Sequence, residues 1–198
     1  MSSKRRSYGD PDTRRRILEV TRDLVVTKGS TLKLSEVATE AGVSRQALYL
    51  HFGDRQGLLL ALVSHMDEQL DLGASLAHVL AATSGKALLE RAMGLNTTFW
   101  SAVEPVARVL RASDDAALQA AWRDRMTFRR GAFLAMVRRL RELGELDPRW
   151  TDETAGNMLY ALSHLDPWTE LTRHLGWDDD AYARTMADVL ARALLAGS

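Results

Sequence analysis

The chain has 198 residues, 46% of them apolar and 26% charged, and its formal net charge is zero. That length is enough to bury a substantial core in one or two domains. The absence of cysteine excludes disulfides and thiolate chemistry, and no apolar run approaches the roughly 20 residues of a membrane span. The charge is unevenly placed. Residues 1–60 hold eleven basic against seven acidic side chains, an excess of +4 that the rest of the chain offsets with −4. A basic front and an acidic rear fit one end facing phosphate.

Residues 1–9 read as a flexible basic arm in which Lys4, Arg5 and Arg6 either enter a minor groove or stay solvated. The opening MSSKRRSYGDPDTRRR lacks the apolar segment of an export signal, so the expected location is the cytoplasm. Asp10-Pro11 starts a first helix, with proline at its first position. Ile17, Leu18, Thr21, Leu24 and Val25 form one face, and Gly29 stops it. Arg14, Arg15 and Arg16 circle its first turns, against phosphate or in solvent.

The run LSEVATEAGVSRQALYLHFGDR, residues 34–55, reads as helix, sharp turn, helix. Ser35 is a plausible N-cap for the first of these helices, and Gly42 ends it where the backbone needs positive φ. Ser44 caps the second helix, from Arg45 to about Phe52. Small Ala38, turn glycine Gly42 and returning apolar Val43 and Leu48 suit the crossing of a DNA-binding helix-turn-helix. Arg45, Gln46, Tyr49 and His51 then project outward.

The segments TRRRILEVTRDLVVTKG and LSEVATEAGVSRQALYLHFGDRQGLL strongly resemble the TetR (tetracycline-repressor-like) family of bacterial transcription regulators, densely across residues 12–62. The resemblance implies an all-α protein: an N-terminal three-helix helix-turn-helix DNA-binding domain (10–56) followed by a C-terminal helical ligand-binding and dimerisation domain (57–198). On that reading Arg45 donates to a guanine and Gln46 reads an adenine edge. Ser44, Tyr49, His51 and Arg55 hold phosphates, and Leu50 touches a thymine methyl. Lys33 contacts phosphate or is solvated. Tyr49 is alternatively a packing residue, and His51 an ordinary surface histidine.

Asp54 caps the next helix, where Leu59, Leu62, Val63, Met66 and Leu70 recur at helical spacing. It is expected to run on into the rest of the protein. Ser84-Gly85 opens a helix through Leu88, Leu89, Ala92, Leu95 and Phe99, and Glu104-Pro105 starts a short one. Ser113-Asp114 opens a long helix to about 143, whose wide apolar girth (Leu118, Trp122, Met126, Phe128, Phe133, Met136, Val137 and Leu140) implies burial from several sides. Thr151 caps a helix with the stripe Ala155, Met158, Leu159 and Leu162. Pro167 interrupts it, and a short helix runs from there to Gly176. Asp178 caps the last helix, whose stripe is Tyr182, Met186, Val189, Leu190 and Ala193, with Trp177 and Tyr182 at the spacing of a hydrophobic staple. By resemblance, the last two long helices pair with those of a second copy as a homodimer.

An effector cavity between helices is expected. Its candidate lining residues are Asn96, Phe99, Trp100, Trp122, Met126, Phe133, Met158 and His164, with Met93, Phe128, Tyr160 and Trp168 beside them, although such a Met and aromatic stripe is alternatively plain core. The five histidines show no metal-ligand spacing, and acidic pairs sit where helix capping explains them. No catalytic residue, metal or cofactor is expected, and no membrane partner. The expected partners are a double-stranded operator, a second copy and a small, largely apolar effector. The competing reading is a helical protein-interaction module that does not bind DNA.

Overall fold

The computed structural model describes residues 11–197; the basic arm around Lys4, Arg5 and Arg6 lies outside them. The elements are α1 (Pro11–Lys28), α2 (Leu34–Glu40), α3 (Arg45–Phe52), α4 (Arg55–Leu70), α5 (Leu72–Leu80), α6 (Gly85–Arg111), α7 (Ala116–Glu142), α8 (Asp152–Leu162), α9 (Leu165–Thr169) and α10 (Asp179–Leu194). A 3₁₀ turn covers Gly29–Thr31 and a π-helical turn Glu170–His174. Among the described residues the one β-type pairing is an isolated bridge between Leu146 and Leu195. The fold is all-α, and no described helix is long and apolar enough to cross a membrane. The chain divides into two units, Met1–Gln69 with Pro105–Arg123, and Leu70–Glu104 with Asp124–Ser198.

In the first unit Ile17, Leu18 and Val25 of α1, Val37 and Ala38 of α2, and Leu48 and Phe52 of α3 are buried together with Leu58, Leu59 and Leu62 of α4. Gly42 takes φ +63°. The chain reverses there so tightly that the Val43 N–H donates to the Ala38 carbonyl at 2.9 Å. Gly53, at φ +76°, ends α3 in the same left-handed region.

The start of α2 differs from expectation. Its N-cap is Lys33, and Ser35 lies inside the first turn. Capping comes from Glu36, whose carboxylate accepts the Lys33 N–H at 3.0 Å and also pairs with Lys28. The Lys28 hydrogen bond, then the Lys33 N–H, hold the Glu36 carboxyl below its usual pKa. A depressed folded pKa means stability present above the unfolded value of 4.5 and lost as pH falls through the folded one. Glu36→Gln therefore lowers the melting temperature at pH 7, and the gap to the unaltered chain narrows on acidification below about pH 4. Melting curves followed by circular dichroism at several pH values check this.

The long helix expected from Ser113-Asp114 begins at Ala116, because Asp115 is the capping side chain. It accepts from the Ala117 and Leu118 N–H groups at 2.9 and 3.0 Å, and from Gln56 of α4 at 2.7 Å. The Leu118 N–H bond is the main cause holding the Asp115 carboxyl below its usual pKa.

Four other expectations are corrected. First, the helix after Asp54 does not continue unbroken: it ends at Leu70, and Asp71 adopts φ +38° and caps the separate α5 through the Ala74 N–H. Second, Glu104-Pro105 does not open a new helix, since α6 carries Pro105 in its interior. A helix already propagating tolerates the missing donor at a cost in local hydrogen bonding. Third, the girth of α7 is not buried all round, because Phe128 is 53% exposed, and Met158 and Val189 are likewise at the surface. On α10 the buried arc is set by Tyr182, Met186, Ala187, Leu190 and Leu194, and Val189 falls off its edge. Fourth, the break after α8 falls at Ser163–His164 and not at Pro167, which lies within α9; the helical run then continues through the π-helical turn to His174, close to the end expected at Gly176. The expected caps Thr151 and Asp178 do accept from the Thr154 and Ala181 N–H groups, at 3.1 and 2.6 Å.

Candidate DNA-binding surface and effector cavity

The outward face of α3 is built by local chemistry. The Ser44 hydroxyl accepts the Ala47 N–H at 3.0 Å and fixes the start of the helix. Leu48 and Phe52 are buried, which turns the opposite side of α3 to solvent. Arg45 and Gln46 are exposed there, with Tyr49 at 52% and Leu50 at 67%. Arg45 and Tyr49 share a shallow hollow of about 200 Å³ with Leu34, Ser35 and Leu48. Lys33 is exposed at the start of α2.

One of the sequence-derived candidates is differently employed. Arg55 donates to the Leu32 and Ser30 carbonyls at 3.2 and 2.9 Å, so its guanidinium braces the α1–α2 connection. His51 is half-buried, with its ring centroid 5.8 Å from that of Phe52.

The second unit contains a cavity of about 50 Å³. Its floor is Ala92, Asn96 and Phe99 of α6 with Arg129, Phe133 and Met136 of α7, all buried; Leu72, Leu76, Leu95, Phe128 and Ala132 form a more exposed apolar rim. Asn96, Phe99 and Phe133 were legible as candidates. Trp100 is fully buried behind the floor, its indole N–H donating to the Ser163 carbonyl at 2.9 Å. His164 packs its ring against Tyr160 and Trp100, with Asp166 at 3.6 Å, and does not line the cavity. Met126 is buried outside it, and Met158 lies at the surface. Trp122 belongs to the first unit, with Arg111 over its ring.

Sequence reasoning passed over Arg129. It is only 9% exposed, and its guanidinium carbon lies 4.7, 4.5 and 5.3 Å from the ring centroids of Phe99, Trp100 and Phe133. Both of its hydrogen bonds use Nη2, to the Asn96 side-chain oxygen at 2.7 Å and the Ser163 carbonyl at 3.1 Å. Nε is buried without an acceptor. Burial lowers the Arg129 pKa to about 10, so the group stays charged at neutral pH. The signal for it was available. Met126, Arg129, Phe133, Met136 and Leu140 recur at alternating spacings of three and four, so Arg129 is a lone cation inside an apolar stripe.

Comparison with known proteins bears on both regions. Residues 17–62 match the family described as "Bacterial regulatory proteins, tetR family". Over 55 residues the chain is 42% identical to the HTH-type transcriptional regulator AlkX of Mycobacterium tuberculosis, a match covering 27% of this chain and 26% of that protein. The chain thus spans about a quarter of that curated relative. A transcriptional regulator from Saccharomonospora viridis in complex with choline superposes with a TM-score of 0.80 at 17% identity, over 93% of this chain and 98% of that one. NalD, the secondary repressor of the MexAB-OprM multidrug efflux pump in Pseudomonas aeruginosa, gives 0.72 at 22% identity, over 94% and 98%. At those identities the structural likeness establishes the fold alone.

Proposed function

We propose that this chain, whose residues 17–62 match the tetR family of bacterial regulatory proteins, is a sequence-specific DNA-binding repressor of that family, released from a near-palindromic operator by a small, largely apolar effector. The observation that carries this reading is the exposure of Arg45, Gln46, Tyr49 and Leu50 on one short helix whose other side is anchored by Leu48 and Phe52. A packing helix has no need of a bare arginine and glutamine directly after its cap. In the major groove, Arg45 donates to a guanine and Gln46 reads an adenine edge, while Ser44, Tyr49, His51 and Lys33 approach phosphates and Leu50 a thymine methyl. Arg55 supports this surface from behind through its two carbonyl contacts.

The working species is a homodimer through α8 and α10. Exposed Met158 and Val189, one on each helix, supply apolar surface for it. Two copies of α3 then meet successive major grooves about 34 Å apart. Repression is the mode of NalD, and it is the sign proposed here. The cavity floored by Asn96, Phe99 and Phe133 is the effector site, and its occupant favours a conformer with mis-spaced recognition helices.

Selection of an operator from random duplexes, followed by polarisation titrations, tests the reading. Arg45→Ala costs about 1–3 kcal/mol on the selected site and relaxes one base pair, and affinity falls steeply with salt. Equal loss on every sequence demotes Arg45 to a phosphate contact. Failure to select any duplex leaves a protein-interaction module in place of a regulator.

A further inference from the structure

We propose that the cavity of the second unit takes an amphipathic carboxylic acid, its carboxylate on Arg129 and its apolar body against Leu72, Leu76, Leu95 and Phe128. This rests on the effector-site reading and specifies the ligand's charge.

A guanidinium at 9% exposure is a costly group to leave without a counter-charge. Its acceptors are a neutral amide oxygen and a neutral carbonyl, and among the described residues no carboxylate pairs with it. Three ring faces offset part of the deficit by cation–π attraction. They leave the buried Nε without an acceptor, on a residue that lines the cavity. Arg129 is therefore held in place, charged and incompletely satisfied, where a ligand enters.

Two details select the ligand class. The polar groups Arg129 and Asn96 lie on the floor and the rim is apolar, so the charged end goes in first and the hydrocarbon comes after it. A planar carboxylate matches the donor fork of a guanidinium. The same arrangement rejects cations. The aromatic faces that would hold a quaternary ammonium are already occupied by the protein's own cation. A ligand such as the choline bound by the Saccharomonospora viridis protein would meet like charge.

The test uses the full chain and calorimetric titration with octanoate and 4-phenylbutyrate, the neutral octanamide and 4-phenylbutyramide, and octyltrimethylammonium. At least one acid binds about tenfold or more tightly than its amide, and the ammonium binds more weakly than either. In Arg129→Met the acid and its amide become equal to within about twofold. The comparison of acid with amide on the unaltered chain stands even if that variant does not fold. Equal affinity of acid and amide, tighter binding of the ammonium, no binding of either acid, or an acid preference that survives in Arg129→Met overturns the proposal. Polarisation of the labelled operator in the same mixtures separates this from the effector reading. An amide that binds as well as its acid and releases DNA overturns the charge assignment alone. An acid held through Arg129 that leaves DNA bound overturns the effector role alone.

Discussion

On the proposed reading of α3 as the operator-contacting helix, Gly57→Ala reduces operator affinity on the order of a hundredfold, equivalent to roughly 2.7 kcal/mol, although it adds a good helix former to a helix. Gly57 lies in the first turn of α4, directly after the Gly53 turn that ends α3. Its N–H donates to the Asp54 carboxylate at 2.8 Å, which draws the turn tight. A methyl group at this position would sit on the carbonyl oxygen of Phe52, the last residue of α3. That oxygen belongs to backbone, so no side-chain rotation relieves the clash, and α3 and α4 must separate. Helix propensity favours alanine by about 1 kcal/mol, whereas overpacking costs about 1–3 kcal/mol, with a methyl group driven onto a backbone oxygen at the upper end of that range. The steric term wins. The displaced element is the one that carries Arg45 and Gln46, so DNA affinity falls with stability. Urea unfolding beside polarisation titrations at a temperature where the variant is folded checks it; unchanged affinity would mean that the junction relaxes without moving α3.

Trp168→Ala destabilises the second unit by about 3–5 kcal/mol, the range for emptying a fully enclosed aromatic site. Trp168 lies in α9 with no exposed surface, and Arg173 of the adjoining π-helical turn lies 4.3 Å from its ring centroid. Its indole N–H has no hydrogen-bond partner. Trp168→Phe gives up no such bond and keeps most of the volume, so its cost is below about half that of alanine. Denaturant midpoints for both variants, read with their slopes, check the ranking. Equal losses would assign the stabilisation to a contact that only the indole ring makes, such as that with Arg173, and not to volume.

The front of the molecule was legible because its determinants are local. Gly42 and Ser44 specify a turn and a cap within a few residues, and the φ of +63° and the Ser44–Ala47 bond realise them. The cap of α2 was misplaced because Glu36 reaches back to Lys33 and across to Lys28, and the second partner is fixed only by the packing of α1 on α2. Proline favours a helix start, which is where Pro105 falls by sequence alone, yet the 27-residue α6 continues past it. The cavity was half legible. Asn96, Phe99 and Phe133 stand out by type, but Arg129 sits among Arg123, Arg125, Arg130 and Arg138, where arginine normally signals solvent. Only its register on the α7 stripe separates it from them.

The 4.5 Å approach of Arg129 to the Trp100 ring has an optical consequence. A fixed positive charge beside an indole shifts the energy of its excited state. Trp100 is further immobilised by donating to the same Ser163 carbonyl that Arg129 uses. Neutralising that charge changes the local electric field at a chromophore that cannot rotate away, so the chain carries an intrinsic emission gauge of whether its arginine has found a counter-ion.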